Sequence, residues 1–272
     1  MNELKVPGAT LGYTVRGSGP VLLMIPGGPA GGDVFAELAE RMAGTHTVVT
    51  YDPRGMYRSS VDDDAAEGGI AVQSDDVHRL LAACTSEPAY VLGNSGGAIV
   101  GLDLVARHGE QVRTLVAHEP PLTALLEDAD ALRASAGEVE AAYRQGGVWA
   151  GMQRFMAHAG LEPPAGDSGP PAEPSPEQRA AMARFQRAAE RFLAHMLLPT
   201  ADYVPDLDAL RAAPGRTLVA VGEESRGQFA HRAGVALAER LGTETLTFPG
   251  DHGGFTSRPD AFAARLRATL GA

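Results

Sequence analysis

The sequence predicts an α/β fold: a mostly parallel sheet flanked by helices, with a helical cap inserted between two of the strands. Two observations carry this prediction, namely short apolar runs that end in glycine-rich turns and the helical patterns that separate them. The apolar runs include VLLMIPGG, HTVVTYDPRG, AYVLGNS and VRTLVAHEP. Strands buried on both faces of a parallel sheet have this continuous apolar character. Regular alternation of strand and helix favours a parallel sheet that is covered by helices.

The remaining elements follow in order along the chain. LKVPGATLGYTVRGSGP predicts a hairpin of two exposed strands near the N-terminus, and DVFAELAERMAG and GGAIVGLDLVARHG have helical spacing. The C-terminal third repeats the alternation with the strands RTLVAVGEE and ETLTFPG and the helices FAHRAGVALAERLG and PDAFAARLRATL. We therefore expect the same sheet to continue after the insertion.

The middle of the chain departs from this alternation. Residues 120–205 contain helical patterns without a convincing strand, and six prolines fall between Pro163 and Pro176. Prolines at this density predict a loop. We expect a core formed by residues 1–119 and 206–272, and a helical cap of residues 120–205 that carries the proline-rich loop.

Composition limits the class of protein. The 272 residues are 44% hydrophobic and 21% charged, which fits one globular domain with an insertion. Membrane spans need about 18 apolar residues in a row, and neither such a run nor a signal-peptide pattern is present, so we expect a cytoplasmic protein. The net charge of −11 argues against nucleic acids and anionic membranes as partners. The sequence leaves open whether two copies of the chain form a homodimer.

GNSGG, residues 93–97, predicts a nucleophilic serine at Ser95. A strand pattern precedes it and a helix pattern follows, and a sharp turn between them exposes the serine oxygen while leaving no room for side chains at the flanking glycines. The backbone N–H of Gly96 would lie at a helix N-terminus, where negative charge is favoured. Gly28, in IPGGPAGG after an earlier strand, is the second candidate donor for an oxyanion hole.

A serine nucleophile needs a base, and His252 is the strongest candidate among eight histidines. It lies in TFPGDHGGF, between the last strand and the last helix, where open α/β sheets place their sites. His78, His108 and His231 fall on amphipathic helices, where a packed or solvated histidine is the default. Since no histidine or cysteine cluster has metal-ligand spacing, we expect no metal and no cofactor.

With these motifs the chain resembles the α/β-hydrolases over nearly its whole length. The serine turn, DPRGMYRSS and PGDHGGF…RPDAF follow one another in the family's order. The resemblance implies a catalytic triad and a backbone oxyanion hole, and it assigns Asp52, Arg54 and Ser59 to holding their turn together. Pro26 stands where the family often has histidine, but the backbone donor two residues later can persist.

The triad acid departs from the family's common position. After the strand TLVAVG, Ser225 stands where most members have aspartate, which leaves Glu224 as one candidate. Glu119, at the end of VRTLVAHE, is the other, and the serine–acid–histidine order of the fold allows both. An acid at the position of Glu119, together with IPGG, DPRGMYRS and AHEPP, resembles zearalenone-type lactonases. We therefore expect Glu119 to be the acid and His118, which should point the opposite way, to be structural.

The resemblance implies a cofactor-independent serine hydrolase of ester or lactone bonds, in which Ser95 attacks, His252 is the base and Glu119 orients it. Two alternatives stay open: cleavage of peptides, as in proline iminopeptidases, or of C–C bonds, and a slow or non-catalytic receptor for a small molecule. The cap could line an apolar substrate pocket, although the same side chains could instead form its own core: Trp149, Met152, Phe155, Met156, Phe185, Phe192 and Met196.

Overall fold

The computed structural model describes residues 2–65, 68–161 and 175–271. Within these ranges it has nine strands, at Asn2–Val6 (β1), Ala9–Arg16 (β2), Val21–Ile25 (β3), Thr47–Tyr51 (β4), Ser60–Val61 (β5), Ala89–Asn94 (β6), Val112–His118 (β7), Arg216–Gly222 (β8) and Leu246–Phe248 (β9). The α-helices are Ala36–Met42 (α1), Ile70–Cys84 (α2), Gly96–His108 (α3), Ala129–Ala159 (α4), Pro176–His195 (α5), Leu197–Ala201 (α6), Leu207–Ala212 (α7), Phe229–Leu241 (α8), Gly254–Ser257 (α9) and Pro259–Leu270 (α10). In this part of the chain, no helix has the length and hydropathy to cross a bilayer.

The sheet order is β1-β2-β4-β3-β6-β7-β8-β9, with β5 paired to β2. All neighbouring pairs from β4 to β9 along this order are parallel, whereas β1, β2 and β5 pair antiparallel. The predicted mostly parallel sheet is therefore confirmed. The prediction of an exposed hairpin was wrong for β2, because this strand pairs with β4 and buries Leu11 completely.

Helices cover both faces of the sheet. Along β3, Leu23 and Ile25 face one side, and Leu22 and Met24 face the other, as the two-residue period of a strand requires. The first side packs against α2, α3 and α8, and the second packs against α1 and α10. Burying each such side chain contributes roughly 1.5–3 kcal/mol, so these two layers are the main source of the fold's stability.

The described residues between β7 and α7 are largely helical and form a separate cluster above the core. Helix α4 is broken at Gly147 (φ 76°, ψ −170°), and its two arms lie side by side, since Arg154 Nε bonds Glu138 across them at 3.1 Å. Helix α5 packs against these arms through Ala188 and Phe192. This arrangement agrees with the expected cap, whose exact boundaries remain a prediction.

The predicted proline-rich loop falls almost wholly on residues 162–174, which lie outside the described residues. Its last two residues instead begin α5. Ser175 Oγ accepts from Gln178 N at 3.1 Å, the Gln178 side chain accepts from Ser175 N at 2.7 Å, and Pro176 occupies the first helical turn. This reciprocal pair satisfies two backbone donors at the helix start.

The turn after β4 is held by the residues that the sequence assigned to it. Asp52 accepts from Gly32 N at 2.8 Å, while Ser59 Oγ donates to Asp52 O at 2.6 Å and accepts from Gly12 N at 2.9 Å. Arg54 makes two hydrogen bonds to Asp76, at 2.7 and 2.6 Å, with both side chains buried. These contacts join the turn to β2 and α2 and fix its position beside the serine turn.

Replacing Arg54 by alanine is expected to lower the free energy of unfolding by roughly 3–5 kcal/mol, because Asp76 would stay buried without its partner. Denaturant titration of both proteins measures this loss. Arg133→Ala is the matched control: its side chain is 45% exposed, its partners Asp130 and Asp202 are more exposed still, and exposed pairs contribute at most about 1 kcal/mol. Equal losses in the two variants would contradict the structural role of Arg54.

Candidate active site

Ser95 occupies the turn between β6 and α3. Its backbone has φ 55° and ψ −125°, a conformation that costs a non-glycine residue about 1–3 kcal/mol and persists only when its surroundings enforce it. Ser95 N donates to His118 O at 2.9 Å, and Ser95 O accepts from Ala98 N at 2.9 Å. Strand β7 on one side and the first turn of α3 on the other therefore hold the serine in place.

The glycines on either side of Ser95 are required by close packing. A Cβ atom on Gly93 would lie 2.5 Å from Gly97 O, and one on Gly97 would lie 2.6 Å from Pro26 O. Both distances are far below van der Waals contact, so no side chain fits at either position. The predicted close approach at this turn is confirmed.

Glu119 and His252 are in contact although 133 positions separate them in the chain. Glu119 follows β7 with its side chain fully buried, and its Oε2 lies 2.6 Å from His252 Nδ1. Its other oxygen, Oε1, accepts from Gly222 N at 2.9 Å and from Ser225 Oγ. The carboxylate thus has donors on both oxygens, which holds its plane against the imidazole ring.

These partners keep Glu119 ionised. Burial alone would raise the pKa of the carboxyl, but the hydrogen bond from His252, the nearby His118 and His252 rings, and the hydrogen bond from Ser225 together outweigh it. The resulting pKa is about 2. At neutral pH the side chain is therefore a carboxylate that can stabilise a protonated His252.

The sequence did not reveal the part played by Ser225. It stands where most family members have the acid, and in the structure it is fully buried and donates to Glu119, the predicted acid. The alternative acid, Glu224, is 46% exposed and pairs with Arg258 at the surface. The sequence did contain a hint of the contact between Ser225 and Glu119: a serine replaces the usual aspartate, and a hydroxyl at that position could donate to a carboxylate supplied by the neighbouring strand.

The predicted opposite orientation of His118 assumed a strand that runs through Glu119, but Glu119 has φ 48° and β7 ends at His118. The His118 side chain lies in the core. It is fully buried against Phe248 and Phe262, and its Nδ1 lies 2.7 Å from Asn94 Oδ1. Burial lowers its pKa to about 4, so the ring is neutral at physiological pH. Its contact with Asn94, the residue before Ser95, gives it a structural role at the serine turn.

Gly28 and Gly96 contribute two backbone donors beside Ser95. A Cβ atom on Gly96 would lie 3.8 Å from Gly28 N, which shows that the two turns adjoin. Among the described residues neither N–H group has a hydrogen-bond partner. Both glycines line the same cavity as Ser95 and His252, so an oxygen bound between them would lie next to the serine.

Two connected cavities meet at Ser95 and His252. Phe155 and Phe192 of the cap line the inner cavity. The outer cavity is wider, and it is lined by Phe155 and by the residues that flank His252. Three more of the cap side chains that were predicted to line a pocket also lie there: Met152, Met156 and Phe185.

The prediction for Trp149 was wrong. This side chain is 58% exposed and lines neither cavity, although its ring lies 6.4 Å from that of Phe185. The buried residues of this arm are Val148 and, three and four positions later, Gly151 and Met152. Trp149 follows Val148 by one position, so the helical period rotates it towards solvent.

Known proteins resemble this chain in sequence and in structure. Residues 20–167 match the family model described as alpha/beta hydrolase fold. The uncharacterized hydrolase YraK of Bacillus subtilis (strain 168) is 35% identical over 274 residues, which cover 98% of this chain and 94% of that protein. A thermophilic esterase from Thermogutta terrifontis has a TM-score of 0.75 at 17% identity, covering 100% of this chain and 98% of its own. Est816, described as an N-acyl homoserine lactone degrading enzyme, has a TM-score of 0.68 at 20% identity, covering 98% and 99%. The two structural likenesses concern the fold alone, whereas the matches in sequence identify the family: the chain belongs to the α/β-hydrolases.

Proposed function

We propose that the protein is a cofactor-independent serine hydrolase that cleaves ester or lactone bonds in a small, apolar substrate. The observation that carries this proposal is the contact between the buried Glu119 carboxylate and His252 Nδ1 at 2.6 Å, together with the cavity that His252 and Ser95 both line. A buried carboxylate bonded to one ring nitrogen leaves the other nitrogen to accept a proton.

In the first half of the proposed reaction, Ser95 Oγ attacks the substrate carbonyl while His252 Nε2 takes the hydroxyl proton. The carbonyl oxygen becomes an oxyanion, which the N–H groups of Gly28 and Gly96 bind. Glu119 stabilises the imidazolium. When the intermediate collapses, the bond to the alcohol oxygen breaks, and His252 returns the proton to that oxygen. The products of this half are the free alcohol and an acyl-serine ester.

In the second half, water enters the position that the alcohol has left. His252 takes a proton from it, and the resulting hydroxide attacks the acyl carbonyl. Collapse of the second intermediate releases the carboxylic acid and returns the proton to Ser95 Oγ. For a lactone, the alcohol and the acid are two ends of one product, so a ring opens and a single hydroxy acid leaves.

The lining of the inner cavity favours an uncharged substrate. The described residues around it include no aspartate or glutamate, whereas a free amine, as in iminopeptidase substrates, would need an anionic partner there. The sequence resemblance to zearalenone-type lactonases supports a lactone among the substrates. Two structurally similar proteins, described as an esterase and as a lactone-degrading enzyme, agree with this class.

A substrate panel tests the proposal. We expect the protein to hydrolyse p-nitrophenyl butyrate and at least one member of a series of aliphatic lactones and macrolactones, with rates that EDTA leaves unchanged. Proline p-nitroanilide should be a poor substrate, because no carboxylate in the inner cavity would bind its amine. Release of p-nitrophenol and of acid measures these rates. Cleavage of the anilide alone, or tight binding of a lactone without turnover, would overturn the proposal.

A further inference from the structure

The inner cavity contains three polar side chains that the triad does not use, and one of them, Thr200, already donates to Met196 O at 2.7 Å. Of the other two, His158 comes from the end of α4, and Thr123 comes from the short 3₁₀ helix Thr123–Leu125 that follows β7. The remaining cap side chains around them are apolar, with Phe155, Phe192 and Leu197 the largest. Polar groups in an otherwise apolar pocket fix the orientation of a ligand, so these two residues need a partner of matching chemistry.

The ring of His158 is held by a network across the two arms of α4. Its Nδ1 lies 3.1 Å from Ser135 Oγ, and Ser135 Oγ also accepts from Arg154 Nη2 at 3.2 Å. Arg154 is itself paired with Glu138. Ser135 Oγ has lone pairs for Arg154 and one proton of its own, which it can donate to His158 Nδ1. In this tautomer the ring proton lies on Nε2.

His158 acts as an uncharged donor. Burial lowers the pKa of its ring, and the positive charge of Arg154 lowers it further. The ring also packs against Phe229, with the centroids 5.6 Å apart. A neutral imidazole whose Nε2 carries the proton donates one hydrogen bond to a neutral oxygen, and it gives a carboxylate no ion pair.

Thr123 supplies a second unused donor. Its side chain is 1% exposed, and its Oγ1 has no hydrogen-bond partner among the described residues. A buried hydroxyl without a partner is unfavourable, and such groups in native structures call for an explanation. The backbone N of Thr123 donates to Pro121 O at 3.0 Å, so the residue is fixed within a tight turn.

The two cavities would hold different parts of a substrate. Ser95 and His252 line both cavities, and the two candidate oxyanion donors, Gly28 and Gly96, both line the inner one. Since the outer cavity is the wider of the two, we assign the departing alcohol to it. The acyl part then occupies the inner cavity, on the side of His158 and Thr123.

We propose that His158 and Thr123 form a polar subsite that binds a second, uncharged oxygen, a carbonyl or a hydroxyl, carried by the acyl part of the substrate. This inference rests on the proposed serine hydrolase function. A carbonyl oxygen can accept from a donor of this kind, and so can a hydroxyl oxygen. The substrate class is thus an oxygenated acyl ester or an oxygenated lactone, in contrast to a plain fatty acyl ester.

Paired p-nitrophenyl esters test the subsite, namely hexanoate against 3-oxo-, 4-oxo- and 5-oxohexanoate. We expect the wild-type protein to favour at least one oxo ester in kcat/KM over hexanoate. His158→Phe and Thr123→Val should each lower this preference by about tenfold, since a site built to bond an oxygen loses its discrimination when a donor is removed. His158→Gln and Thr123→Ser, which keep a donor, should restore part of it.

His78→Phe is the matched control, because His78 lies on α2 and bonds Gln111 away from the cavity; its preference should equal that of the wild type. Circular dichroism confirms that each variant is folded, and the threonine variants carry the test if His158→Phe unfolds. If hexanoate is cleaved without any oxo preference, or if the preference survives both donor deletions, the subsite is overturned and the proposed function stands. If no ester or lactone is cleaved, the proposed function itself fails.

Discussion

Replacing Ser95 by alanine is expected to remove nearly all hydrolysis of p-nitrophenyl butyrate. The acyl-serine intermediate cannot form without the hydroxyl, so the remaining rate should be that of the oxyanion hole and binding alone, roughly 10³–10⁴-fold over water. The fold should persist, because Ser95 Oγ makes no hydrogen bond to another described residue and its place at the turn depends on backbone contacts. Steady-state rates and circular dichroism of the two proteins measure both expectations.

Covalent labelling identifies the nucleophile independently of any chosen substrate. A fluorophosphonate should modify the wild-type protein at Ser95, and mass spectrometry of the digested protein locates the adduct. Ser86→Ala, at an exposed position after α2, is the matched control and should keep full activity and full labelling. Labelling of a different residue in the folded wild-type protein, or substantial activity in Ser95→Ala, would show that the reaction does not proceed through this serine.

Glu119→Gln is expected to lower kcat by roughly 10⁴-fold. The amide would carry no charge to stabilise the imidazolium, and its NH₂ group could donate to His252 Nδ1 and so place the ring proton on the wrong nitrogen. Glu224→Gln is the control of identical chemistry: its carboxylate is paired with Arg258 at the surface, and its loss should cost less than about tenfold in kcat. Both rates are measured on one ester at one pH.

The pair of variants also decides where the acid lies. If Glu224→Gln is inactive and Glu119→Gln retains its activity, the acid follows β8 and the resemblance to the lactonases loses its main support. Thermal unfolding of Glu119→Gln separates a catalytic loss from a structural one, because Ser225 and Gly222 also bond to this carboxylate.

The sequence by itself determined the order of strands and helices and the location of the serine turn. These features depend on neighbours in the chain: an apolar run that ends in a glycine-rich turn has few alternatives to a buried strand, and a serine flanked by GN and GG between strand and helix has little room for another geometry. The place of His252 after the last strand follows from the same rule of parallel sheets.

The tertiary structure alone decided which side chains meet. Glu119 and His252 are 133 positions apart and Glu119 and Ser225 are 106 apart, and their contacts depend on the side-by-side placement of β7 and β8. The same holds for His158, which bonds Ser135 because α4 breaks at Gly147 and folds back on itself. The sequence pattern was misleading for Trp149. Its aromatic side chain predicted a place in the pocket lining, but its position on the second arm of α4 directs it towards solvent. Helices and strands can be predicted from local sequence patterns because they depend on residues a few positions apart. The site cannot, because it is assembled by packing between helices and strands that are remote in sequence.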